Sequence, residues 1–278
     1  MTLTTTFTLY YDPILDINKS KSCSQCHLQS KSFSSAGSVL PHVNLVFYNK
    51  YLWNGSLEGR LEDAMMFEVE DFMQTNLNNL NDDAIYSKLF EEAFGVQVIS
   101  SKEVAYALAQ FVCTLISSNS KYDKVLNNQA GIYLDDNPPP LGSELNGYDI
   151  FYTEKGDCFH CHGTILFTDN DFHNNGLDTL PGLGRYEVTG LIKDIGKYKT
   201  PTLRNIAYTA PYMHDGRFAT LAEVVDFYST GLKYSNTVDP LMRVHQGGIN
   251  LTSQEKLDLI AFLHTLSDTS FINNKAFQ

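Results

Sequence analysis

The order of apolar and polar residues along the chain predicts helices joined by long loops. Val104, Leu108, Phe111 and Leu115 recur at helical spacing and form one apolar face. Ser100 and Glu103 make a capping box that opens this helix, expected to run to about Ser117. Upstream, Asn81 or Asp82 can cap a helix that stops at Gly95. Two further boxes follow. Thr220 with Glu223 opens a helix ending at Gly231, in which Leu221, Val224, Val225 and Tyr228 share a face. Thr252 with Glu255 opens a last helix that carries Leu259, Leu263 and Leu266 toward a core. Another helix begins near Ser143 and leads toward Cys158. The run Asp135-Asp136-Asn137-Pro138-Pro139-Pro140 cannot be helical, because proline lacks the donor and fixes the backbone, so it reads as a linker. The Gly- and Asn-rich stretch from Thr164 to Arg204 reads as long loops. The pattern gives a mainly α chain of two units, residues 1–134 and 135–278.

Composition narrows the partners. With 43% hydrophobic and 19% charged residues, the 278-residue chain can bury a core. A net charge of -12 leaves little to neutralise phosphates, so no nucleic-acid partner is expected, whereas a basic partner would suit it. No apolar run reaches the ~18 residues of a membrane span. The start, MTLTTTFTLYYDP, lacks the basic and apolar segments of a signal peptide.

The cysteines bring in chemistry. Cys23-Ser-Gln-Cys26-His27 and Cys158-Phe-His-Cys161-His162 are two copies of C-x-x-C-H, the haem c attachment motif. Two thiols one helical turn apart reach both vinyl groups of one porphyrin, and the next histidine then lies under the iron. A redox dithiol or a four-cysteine zinc site would account for the cysteines but not for the histidine after each pair. Two covalent haem c groups, one per half, are therefore expected. Cys113 sits in an apolar helical run and reads as a buried, inert thiol, so oxidising surroundings would leave it unpaired.

Over nearly its whole length the sequence resembles the bacterial dihaem cytochrome c peroxidase and MauG family. Leu9-Tyr10-Tyr11-Asp12-Pro13 precedes the first motif as in that family. Phe167-Thr168-Asp169, Phe172-His173-Asn174 and Gly176-Leu177 follow the second. The most specific blocks are Lys199-Thr200-Pro201-Thr202-Leu203-Arg204-Asn205 and Thr209-Ala210-Pro211-Tyr212-Met213-His214-Asp215-Gly216. The resemblance implies two class I cytochrome c-like domains facing each other. The first haem, on His27, would react with hydrogen peroxide, and the second, on His162, would receive electrons or store an oxidising equivalent. It also implies an inter-haem tryptophan, matched by Trp53, and a calcium ion held by the Asn44 side chain and the Thr209 and Pro211 carbonyls. Hard oxygen ligands of this kind suit that cation.

The resemblance further places Tyr228 where peroxidases carry an axial methionine and MauG-like members a tyrosine. Met213 and Met242 are rival ligands, and methionine would raise the potential where tyrosinate would lower it. A core tyrosine is the plainer reading of the same residue.

Two departures stand out. The loop after the first motif, Leu28 to Leu40, is short, which suggests an open first iron; His42, the nearest histidine, reads as an ordinary polar loop residue. The family's glutamate beside the peroxide site has no clear match in Phe67-Glu68-Val69-Glu70-Asp71-Phe72-Met73. Glu68, Glu70 and Asp71 are all candidates for the acid–base group, and a solvated acidic face would account for them equally well.

The expectation is a dihaem peroxidase that reduces hydrogen peroxide to water with electrons from a small cytochrome c or cupredoxin. The alternatives are MauG-like oxidation of a protein side chain and a plain electron carrier. Haem c is attached outside the cytoplasm, so a periplasmic protein is expected, with its signal peptide not part of this sequence.

Overall fold

The structure, a computed structural model, describes residues 8–35, 37–245 and 247–277. Residues 1–7 of the stretch read for a signal peptide lie outside the described residues.

Two apolar cores organise the chain. The first gathers Leu9, Tyr10, Leu15 and Phe33 with Leu61, Ala64, Met65 and the inner face of the helix Ser101–Cys113. The second gathers Tyr122, Phe151, Phe167, Leu221, Val225 and Phe262. They divide between Leu115 and Tyr122, ahead of the Pro-rich linker, because the helix Lys121–Leu126 sets Tyr122 edge-on to Phe262 at 5.4 Å. The final segment then turns back, and Phe271, Ile272 and Phe277 join the first core. Apolar packing thus crosses the expected boundary at 134: Tyr122 belongs to the second core, and Phe271, Ile272 and Phe277 to the first.

The capping boxes fall where the pattern puts them, at Ser100/Glu103, Thr220/Glu223 and Thr252/Glu255. The first of these helices stops at Cys113 instead of running to Ser117. Past it, the Leu115 carbonyl accepts the Asn44 N–H at 2.9 Å, and Ser117 pairs with the Asn44 carboxamide, so helix continuation is outcompeted. Asp83, not Asn81 or Asp82, caps the helix Ala84–Phe94 by accepting from the Ile85 and Tyr86 amides; Gly95 ends it in the left-handed region. The helix Glu144–Phe151 packs on Ser253–His264 through Gly147, where a Cβ would fall 2.0 Å from the Asp258 carbonyl oxygen. Among the described residues, strands are confined to two antiparallel pairs, Lys50–Tyr51 with Leu57–Glu58 and Phe172–His173 with Tyr198–Lys199. No described helix is long and apolar enough to cross a membrane.

A buried ion pair ties the second unit together. Arg204 donates to both Asp123 carboxylate oxygens at 2.9 Å, with both side chains almost fully buried.

Candidate haem sites

The two C-x-x-C-H motifs lie in separate units, Cys23 against the first core and Cys158 against the second, which excludes one shared four-cysteine metal site. Each motif forms a single helical turn, Cys23–Cys26 and Phe159–His162. After each turn the chain makes the same loop. His27 Nδ1 donates to the Phe33 carbonyl at 2.8 Å, and His162 Nδ1 to the Phe167 carbonyl at 2.7 Å. Both phenylalanines are fully buried and carry positive φ, 57° and 53°. A carbonyl can only accept, so each Nδ1 carries the proton and each Nε2 keeps a lone pair for a metal. Burial depresses both imidazoles, His27 to about 4, which keeps them neutral ligands. The donor chemistry fits a haem c in each unit.

The likeness continues past the loop. The Phe33 carbonyl also accepts the His42 amide at 3.0 Å, and the Phe167 carbonyl the Leu203 amide at 3.3 Å. Asn44 and Asn205, both left-handed, then open the 3-10 turns Leu45–Phe47 and Ile206–Tyr208. His42 therefore takes the place of Leu203. It is not the plain loop residue expected from sequence: its ring stacks on His27 with centroids 3.5 Å apart, and its Nδ1 lies 3.1 Å from the Tyr10 hydroxyl.

The same correspondence separates the acidic candidates. The capped helix Leu61–Phe67 runs into a π-helical turn, Glu68–Phe72, and the capped helix Leu221–Asp226 into another, Phe227–Gly231. Counted from the caps, Arg60 and Thr220, Glu68 coincides with Tyr228. Glu68 points inward, close enough to Cys23 and Tyr10 to act on their charge states, and burial pushes its carboxyl up to about 7. Glu70 and Asp71 are exposed. They lie on the solvated face of the π turn, while Val69 packs into the core.

A cavity in the second unit is lined by Cys158, Cys161 and His162 together with Leu221, Val224, Val225 and Tyr228, the four residues expected on one helical face. Met213 and Met242 share its wall, so all three candidate axial ligands face the same space. The Asn175 amide donates to the Tyr228 oxygen at 3.1 Å, and burial pushes the phenol up to about 12.

Trp53 also lines this cavity, although it comes from the first unit. It sits in the hairpin between Tyr51 and Leu57, which docks on the second unit. The Lys199 amide donates to the Trp53 carbonyl at 2.8 Å, and Arg185 donates to the Asn54 and Gly55 carbonyls. Gly55 is required there, with φ +67° and the Phe172 ring 2.1 Å from where a Cβ would sit. The Trp53 ring N–H donates to the Ser38 carbonyl at 2.9 Å. Trp53 is thus fixed by its ring to the first unit and by its backbone to the second.

A family model described as di-haem cytochrome c peroxidase matches residues 7–131. The chain is 31% identical over 280 residues to methylamine utilization protein MauG of Methylorubrum extorquens, across 93% of this chain and 76% of that one. The chain belongs to the dihaem cytochrome c peroxidase and MauG family. It is also 29% identical over 314 residues to cytochrome-c peroxidase IdrP2 of Denitromonas iodatirespirans, across 93% of this chain and 79% of that one. Its fold matches the crystal structure of a MauG-like protein associated with microbial copper homeostasis, with TM-score 0.87, 30% identity, and 99% and 92% of the two chains covered. As a member of this family it is a mainly α cytochrome c peroxidase-type oxidoreductase with two haem c groups.

In the calcium set implied by the resemblance, Asn44 already serves a structural link. Asn44 is buried and its carboxamide is closed on Ser117: Nδ2 donates to the Ser117 carbonyl at 3.1 Å and Oδ1 accepts the Ser117 amide at 2.9 Å. It is a structural bracket, and its counterpart Asn205 makes the same kind of link to Asp268. Thr209 and Pro211 flank Ala210, whose carbonyl accepts the Lys31 ammonium at 3.0 Å.

Several members of the second site had no signal as isolated residues. Asn175 reaches Tyr228 only through the fold. Lys199 lines the cavity, and burial lowers its ammonium to about 8. His173 is held between Asp169 and Asp239 at 2.8 and 2.7 Å; these hydrogen bonds raise it to about 9, so it is cationic at neutral pH. Cys113 is half-buried against the first core with its thiol pushed up by burial, in keeping with an inert side chain.

Proposed function

We propose that the chain reduces hydrogen peroxide to water in the periplasm, at the haem on His27, with electrons delivered by a small cytochrome c or cupredoxin through the haem on His162. The observation that carries this reading is Glu68, the one carboxyl of its acidic stretch that is not exposed, at the position that Tyr228 holds in the other unit. Bound haem c would supply the iron that takes peroxide as a ligand and passes electrons.

The chain's own residues do the rest. Cys23, Cys26 and His27 would hold the first group, and Cys158, Cys161, His162 and Tyr228 the second. The two Nδ1–H bonds to Phe33 and Phe167 orient the ligating imidazoles. The Glu68 carboxylate takes the proton from one peroxide oxygen and returns it to the other, and a carboxyl near 7 is matched to both steps. Trp53, fixed to both units, lies on the path between the sites. The calcium ion implied by the resemblance forms no part of this scheme.

Tyr228 favours a second reading, MauG-like oxidation of a protein side chain. Peroxide consumption with and without a reduced small cytochrome c separates the possibilities. Turnover that requires the donor supports the first reading. Donor-independent consumption that modifies a protein side chain supports the second. No consumption, with two low-spin EPR signals, leaves a plain electron carrier.

A further inference from the structure

Besides the Trp53 hairpin, the short loop from Leu28 to Leu40 also ties the first unit to the second. Lys31, at the end of the turn Gln29–Lys31, donates to the Ala210 carbonyl at 3.0 Å. The buried Ser32 hydroxyl accepts the Asn205 amide at 3.0 Å. The Ser38 hydroxyl donates to the Met213 carbonyl, and the Ser38 carbonyl accepts the Trp53 ring N–H. All three partners in the second unit fall in one segment, Asn205 to Met213. Ser38 and Pro211 both crowd Gly216, where a Cβ would lie 3.3 and 3.2 Å from them.

This segment contains the Thr209 and Pro211 carbonyls, an oxygen-rich turn of the type that holds a hard cation. In this chain it meets a fixed positive charge of the protein's own. An ammonium on Ala210 answers the carbonyl dipoles, and its charge repels a dication from the neighbouring oxygens. Asn44, the side chain that would complete a calcium shell, already accepts the Ser117 amide on Oδ1 and donates to the Ser117 carbonyl.

We propose that Lys31 stands in for an inter-haem cation: its ammonium on the Ala210 carbonyl, with the Ser38 hydroxyl on Met213, locks the two units and sets Trp53 without calcium. Lys31 acts as a positioning residue, through the Asn205–Met213 segment and Ser38. The inference does not depend on which peroxide-driven reaction the chain performs.

The test uses the holoprotein with both haems attached. Metal analysis after dialysis against EGTA should find iron and no calcium above background. The EPR spectrum and both haem potentials should be the same in EGTA and in excess calcium. Lys31→Ala should shift the second haem's potential and broaden its EPR signal, and Lys31→Arg, which keeps the charge and the donor, should restore both. A calcium ion retained by the wild type, or spectra that change on its removal, would overturn the proposal. So would a folded Lys31→Ala protein with wild-type potentials and EPR. If Lys31→Ala fails to fold, the wild-type metal analysis and EGTA comparison still decide. Loss of peroxide turnover in the wild type would refute the proposed function and leave these readouts intact.

Discussion

Glu68 and Tyr228 occupy the same place in the two units: each sits eight residues after a helix N-cap, inside a π-helical turn, close to the haem-attachment cysteines of its own unit. The fold thus offers one distal position twice and fills it with an acid in one unit and a phenol in the other. Glu68→Gln should lower the peroxide turnover rate by about 10²–10⁴, the usual worth of a positioned acid–base group, with haem content unchanged. Because the Glu68 carboxyl lies near 7, wild-type turnover should fall as pH drops below about 7, and the variant should lose this limb. Glu70→Gln and Asp71→Asn, on the exposed face, should match the wild type. A variant at Glu70 or Asp71 that slowed turnover as much as Glu68→Gln would reverse the assignment.

At the other distal position the phenol is the test. Tyr228→Met should raise the second haem's midpoint potential, since a thioether favours the reduced iron more than a phenolate does. Tyr228→Phe should leave that iron to Met213, Met242 or water, which changes its EPR signal. If Tyr228→Phe keeps the wild-type spectrum, a methionine on the same cavity wall is the ligand and Tyr228 is a packing residue.

How much of this was legible in the sequence depends on how local each signal is. The capping boxes and C-x-x-C-H motifs act over a few residues, so Ser100/Glu103, Thr220/Glu223 and both haem attachments could be read directly. The end of the helix at Cys113 could not, because it is set by Asn44, far away in the chain. Asp83 was hidden by two equally good caps just before it. The acid register between Glu68 and Asp71 is ambiguous in the sequence because three carboxylates fall within four positions, and the segment is wound as a π turn. Lys31, His42, Asn175 and His173 acquire roles only through partners in distant segments, and no pattern of single residues announces them. The boundary at 134 followed the prolines, but apolar packing decides core membership, and Tyr122 and Phe271 each join the core on the far side.

The Asp169–His173–Asp239 cluster predicts the pH response of the second unit. His173 is raised to about 9 in the folded chain, chiefly by its hydrogen bonds to the two carboxylates. A group raised above its unfolded value contributes stability that is complete below about 6.5 and is lost as pH rises through about 9. From the shift, the contribution is at most ~3 kcal/mol for this partly buried side chain. Guanidinium midpoints of the wild type should therefore fall between pH 6.5 and 9.5, and His173→Gln should flatten that fall. An equal slope in the variant would place the titrating group elsewhere.

Arg204 links stability to the second site. Burial alone would raise the Asp123 carboxyl, but hydrogen bonds from Arg204 and Ser120 outweigh it and hold the acid ionised below its usual range. Arg204→Met leaves that buried charge unpaired, a loss of about 3–5 kcal/mol. In a chain of this size that corresponds to a melting temperature lowered by roughly 10 °C. The second substitution Asp123→Leu removes the orphaned charge, so the double variant should regain much of the loss, as replacement of a buried pair by apolar side chains is often close to neutral. Its spectrum should not recover in step. Arg204 also donates to the Ile165 carbonyl at 3.1 and 2.8 Å and lies over the Phe167 ring, and the Phe167 carbonyl orients His162. Both Arg204 variants should then broaden the second haem's EPR signal and leave the first untouched. If the double variant regains stability and the wild-type spectrum together, Arg204 serves the ion pair alone and the Ile165–Phe167 turn holds its ligand unaided.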